Sequence, residues 1–96
     1  MLGVELFELW RVGRVRMPAL AETYARAARE LRAVPHDDAE WVSLRWQLAG
    51  VLAAAAGQVE EAAEAVCVAV VRYAEADAGA GREFRRLRDA GGVLRG

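Results

Sequence analysis

His36, Asp37 and Asp38 stand next to one another, and an imidazole beside two carboxylates is the residue set of a proton shuttle or a cation site. It is also the composition of a solvated turn. Pro35 precedes the three residues, and either aspartate can cap a following helix, so the capping reading is preferred to the chemical one. The chain has one histidine, one serine (Ser43) and one cysteine (Cys67). No nucleophile-elbow pattern surrounds Ser43, and Cys67 between Val66 and Val68 reads as a small buried apolar residue. A single cysteine excludes an internal disulfide and a cysteine-based metal cluster. Glu60, Glu61 and Glu64 read as a solvated acidic face. Gly79-Ala80-Gly81 follows a helical pattern and not a strand, so it is no phosphate loop. The expectation is a protein that is not an enzyme and that uses no cofactor and no metal.

One further spacing points to recognition in place of reaction. Tyr73 and Asp77 are four residues apart, just over one helical turn, so a partner could read both from one side. Positions three and four away from Asp77 hold Ala74, Tyr73, Ala80 and Gly81, so no local ion pair accounts for the acid. The competing structural reading is that Asp77 caps the short segment after it.

The elements that would carry these residues are helices. Leu2, Leu6, Leu9, Gly13, Met17, Leu20, Tyr24, Ala27, Leu31 and Val34 follow at steps of three or four, one apolar stripe of a helical arm. Pro18 predicts a kink or restart near Arg16 with the stripe kept in phase. Val34-Pro35-His36-Asp37-Asp38 reads as the turn. A second stripe runs through Trp41, Leu44, Leu48, Val51, Ala55, Val59, Ala62, Val66, Val70, Tyr73 and Asp77. Gly50 and Gly57 inside it predict either close helix approach or a soft joint, and the small run Ala53 to Ala56 predicts a tight crossing. Phe84 and Leu87 could extend the stripe beyond Ala78-Gly79-Ala80-Gly81, whereas Gly91-Gly92 and Gly96 predict a frayed end.

The expected fold is therefore all-α: a single helical-hairpin domain over 1–96, with a first arm at about 2–34, a turn at about 35–39, a second arm at about 39–88 and a frayed tail at 89–96. A lone hairpin of this length leaves one side of each helix uncovered, so pairing into a four-helix-bundle-like dimer is expected. The candidate interface is Leu2, Leu6, Leu9, Trp10, Leu20, Tyr24 and Leu31 in the first arm, with Trp41, Leu44, Leu48, Val51, Val59, Val66 and Val70 in the second.

Composition narrows the function classes. Thirteen basic and 14 acidic residues give a net charge of -1, so the chain as a whole has no electrostatic pull on nucleic acid or an anionic membrane. The arginines clustered at 82, 85, 86 and 88 are read as dipole complement and apolar cover, and not as a phosphate site. All basic residues are arginine and 21 residues are alanine, a usage that fits a GC-rich, actinobacterial genome. The start Met1-Leu2-Gly3-Val4-Glu5 has no basic n-region, so export by the general secretory route is not expected.

The short chain, the two helical patterns and Tyr73-Ala74-Glu75-Ala76-Asp77 near the end of the second resemble the Esx-like and EspC-like (WXG superfamily) substrates of type VII secretion systems. The resemblance covers roughly residues 2 to 88 and is nearer to the EspC-like group. Trp46-Gln47-Leu48-Ala49-Gly50 has the wrong spacing for Trp-x-Gly, and Trp41 is followed by Val42-Ser43. The resemblance implies a secretion substrate or secretion partner, cytoplasmic before export and then secreted or at the cell surface, without a Sec signal peptide. It implies Tyr73 and Asp77 as the secretion signal. The implied partners are a second copy or a paired Esx-like homologue, and the secretion-system ATPase and machinery. The alternative from a different class is a non-secreted intracellular dimerisation or adaptor module using the same stripes.

Overall fold

The computed structural model describes residues 2–35 and 37–95, the last four of them by backbone alone. The His36 reading therefore lies outside the described residues. The described residues are all-helical, without a strand: α1 is Leu2–Arg11, a π-helical turn spans Val12–Arg16, α2 is Met17–Ala33, α3 is Ala39–Ala76 and α4 is Ala78–Arg95. None of these helices is long and apolar enough to cross a membrane.

The first arm stays helical through the proline. Pro18 cannot donate a backbone hydrogen bond and its ring crowds the preceding turn. The chain answers by widening that turn: the Met17 N–H donates to the Val12 carbonyl, five residues back, while Arg11 and Arg16 keep right-handed helical angles. Val34, which precedes Pro35, is extended (φ -69°, ψ 120°), and this ends α2. Asp38 then caps α3, its carboxylate accepting from the Glu40 N–H at 2.9 Å. The Arg45 guanidinium, one turn and a half into α3, donates to the Val34 carbonyl and ties the connection down.

The two arms pack through alanine. Ala21 and Ala28 of α2 and Ala49, Ala56 and Ala63 of α3 are all buried, and within each helix they recur at intervals of seven. That period keeps one narrow strip facing the neighbouring helix, and side chains this small bring the axes close together. Gly13 continues the seam, since a Cβ there would meet the Ala63 carbonyl at 2.9 Å and the Cys67 sulfur at 3.0 Å. The seam is displaced by one residue from the stripe of larger side chains: Ala49, Ala56 and Ala63 stand next to Leu48, Ala55 and Ala62. As a result Trp41, Leu44, Leu48 and Val51 remain on the outside. Gly50 and Gly57 do not serve close approach, because a Cβ at either position meets nothing within 4 Å. Gly50→Ala and Gly57→Ala are thus each expected to stabilise the chain by about 0.5 to 1 kcal/mol, as a rise in the urea midpoint at unchanged slope.

The second arm is two helices and not one. Asp77 leaves the helical region (φ -112°, ψ 104°) while its N–H still donates to the Tyr73 carbonyl at 3.0 Å. Its carboxylate accepts from the Ala80 N–H at 3.0 Å, and its carbonyl accepts from the Gly81 N–H at 2.8 Å. One residue closes α3 and caps α4. After it, α4 packs against both α1 and α3. Gly81 makes the bend possible, because a Cβ there would overlap the Ala74 carbonyl, and Gly3 likewise lies against the Glu83 side chain. The tail expected to fray from 89 is helical to Arg95. Gly91 sits beside the Phe7 ring, so packing on α1 holds a stretch whose glycines would fray in isolation.

The core sits at this end of the molecule. Leu6, Val70, Ala74, Ala80 and Phe84 are buried together, with Phe7, Trp10 and Val66 packed around them. Trp10 is stacked with Phe7 (centroids 6.2 Å apart) and meets Phe84 edge-on at 6.1 Å, both within the range of favourable ring pairs. The molecule measures 61 × 26 × 15 Å with a radius of gyration of 18.8 Å. A compact domain of this length would have a radius of about 12 to 13 Å, so the connection end is a thin two-helix layer.

Candidate recognition surfaces

Leu6 and Val70, expected at a partner interface, are instead buried inside the chain. They face α4, whose return supplies intramolecular cover that two straight arms would lack. Trp10 and Val66 border the same core. Tyr24, Leu31 and Val59 are half-buried beside the alanine seam. Leu2, Leu9, Leu20, Trp41, Leu44, Leu48 and Val51 are exposed.

The exposed members gather most densely beside the connection. Trp41, Leu44, Leu48 and Val51 recur along one side of α3, and Leu31 and Val34 approach them from the end of α2. Together with Arg45, all of these but Val51 line a groove of about 360 Å³ that is almost wholly apolar. Val34 is the last residue of the first apolar stripe, whereas nothing in the sequence points to Arg45. The hydrogen bond from the Arg45 guanidinium to the Val34 carbonyl carries that side chain across the seam to the groove, a reach that periodicity does not encode. On the other side of α3, the Arg32 guanidinium lies 5.3 Å from the centre of the Trp46 ring, a cation–π contact that covers part of a second exposed tryptophan.

Tyr73 and Asp77 present a different picture. The Tyr73 ring is 49% exposed, so it is not a core aromatic. Asp77 is half-buried and its carboxylate is engaged by the Ala80 N–H. The backbone hydrogen bond between the two residues keeps them one turn apart, although the helix ends before Asp77. The acid therefore has a structural task, the capping of α4, whatever else reads it.

No family model, curated protein or solved structure matches this chain.

Other clusters offer less. Cys67 is half-buried with its sulfur 3.9 Å from the Trp10 carbonyl, a weak contact at the α1–α3 crossing. Among the described residues no group of three or more His, Cys, Asp or Glu side chains is arranged to hold a metal ion. Arg82, Arg85 and Arg86 lie exposed in the first half of α4. Dipole complementarity does not account for them, because the helix break at Asp77 puts them near a positive end.

Proposed function

We propose that this chain is a helical association module that works by binding a partner and not by catalysis. In the finer reading its arms form a hairpin, bent back at Asp77, that completes a four-helix-bundle-like assembly when the partner covers its apolar face. The observation that carries this reading is the exposed row Trp41, Leu44, Leu48 and Val51 beside an apolar groove. Large side chains are left outside because alanine occupies the seam, and contiguous apolar surface of this kind marks an interaction site. Trp41→Ser tests it. The far-ultraviolet circular dichroism and thermal midpoint are expected to hold, while uptake of the dye 1-anilinonaphthalene-8-sulfonate by the face falls. Unchanged dye uptake would refute the assignment of the face.

A second reading is that the module is a type VII secretion substrate or secretion partner, with Tyr73 and Asp77 read by the secretion machinery. The exposed Tyr73 ring favours it, because a half-exposed aromatic on a helix is available to a partner. The cap made by Asp77 dictates the choice of variant. Asp77→Asn keeps a side-chain oxygen for the Ala80 N–H and removes only the charge, so it separates recognition from folding. Tyr73→Ala and Asp77→Asn are expected to fold normally by circular dichroism yet stay in the cell lysate of a host with an active secretion system, while the unaltered chain reaches the medium. Equal distribution of all three proteins would discard this reading and leave the association module standing.

A further inference from the structure

The patch beside the connection holds more than an apolar lining. Val34, Trp41, Leu44, Leu48 and Val51 are each 48 to 64% exposed, and four of them also form the walls of the groove. Arg45 lies on its border, and Asp37 and Glu40 are exposed in the adjoining connection and first turn of α3. One patch thus combines concave apolar walls, exposed apolar side chains and both signs of charge. That is the condition for a surface to be complementary to itself, as an isologous two-fold contact requires.

We propose that the occupant of this patch is a second copy of the chain, related by a two-fold axis at the connection end. Trp41, Leu44 and Leu48 of each copy cover those of the other, and Arg45 of each faces the acids Asp37 and Glu40 of the other. The area agrees with this. One tryptophan and four aliphatic side chains at the stated exposure offer roughly 500 Å² per copy, so the pair buries about 1,000 Å², where specific interfaces begin. Interfaces at that threshold are typically weak and transient, so the pairing is sought over a wide range of concentration. The proposal rests on the association reading above and adds the identity of the partner.

Sedimentation velocity of the full chain from about 1 µM to about 200 µM tests it. A shift from the 10.4 kDa monomer to twice that mass is expected across this range. Leu44→Glu and Leu48→Glu, both at exposed positions, are expected to keep their helical circular dichroism and to weaken pairing by at least about 30-fold, the effect of losing a central anchor. A dimer that survives both variants overturns the proposal, because the copies then meet elsewhere. A monomer at the highest concentration overturns it too. In that case 1-anilinonaphthalene-8-sulfonate separates the two claims: uptake that Leu44→Glu abolishes leaves the association reading with a different partner, and no uptake removes both.

Discussion

Phe84→Ala lowers the free energy of unfolding by about 3 to 5 kcal/mol, the largest effect expected of any single truncation in this chain. Phe84 is 1% exposed, and among the described residues it and Val70 are the largest side chains fully removed from solvent. Its ring meets Trp10 edge-on and carries the Arg88 guanidinium 5.5 Å from its centre, so its loss opens a cavity between α1, α3 and α4 at once. Small domains hold only about 5 to 15 kcal/mol in total, and this core is small. Urea titration followed by circular dichroism should show the midpoint falling by a large fraction, with Trp10 fluorescence moving toward that of exposed indole. A loss below about 1 kcal/mol would show that α4 is not seated on α1 through this ring.

Gly81→Ala is expected to be destabilising by about 2 kcal/mol or more, against the usual sign of such a change. In a helix interior alanine is favoured over glycine by about 1 kcal/mol. Here the added methyl overlaps the Ala74 carbonyl, a backbone group that cannot rotate away. Relief requires α4 to swing off α3, which uncovers Phe84 and Ala80. The contrast with Gly50→Ala makes the prediction sharp, because identical chemistry at two helical glycines should move the midpoint in opposite directions. Stabilisation at both positions would mean that the bend at Asp77 is looser than its hydrogen bonds indicate.

Much of this fold was legible in the residue order, and the parts that were not have a common cause. The all-helical class follows from apolar residues at steps of three and four, and the end of the first arm follows from Val34-Pro35. Asp38 as a cap is equally direct. The seam was hidden because a stripe drawn through large apolar residues finds Leu48 and passes over Ala49, whereas close helix packing selects the smaller side chain. The same displacement explains why Leu44, Leu48 and Val51 are exposed, whereas Leu6 and Val70 are buried because α4 covers them. Asp77 was ambiguous for a different reason. It falls in phase with the stripe, as a residue of one continuous helix would, and it also precedes a stretch that needs a cap. Local geometry settles this in favour of the cap, and only the docking of α4 on α1, a contact between distant parts of the chain, makes the bend worthwhile. The apolar groove is half visible in the sequence: Leu31, Val34, Trp41, Leu44 and Leu48 fall on the two apolar stripes, but their convergence with one another and with Arg45 depends on the angle of the connection.

The core that Leu6 and Phe84 share joins α1 to α4 and so sets an order of events. The α2–α3 seam can close residue by residue outward from the connection, each step enclosing little additional chain. Seating α4 on α1 must instead draw together segments almost eighty residues apart, which carries the full entropy of loop closure until the seam has formed. The last contacts made then enclose the largest fully buried side chains among the described residues, Phe84 and Val70. Amide exchange should register this inversion: protons of Val70, Ala74 and Phe84 are expected to be released only by complete unfolding, whereas those of α2 and α3 near the connection escape through local openings of the two-helix layer.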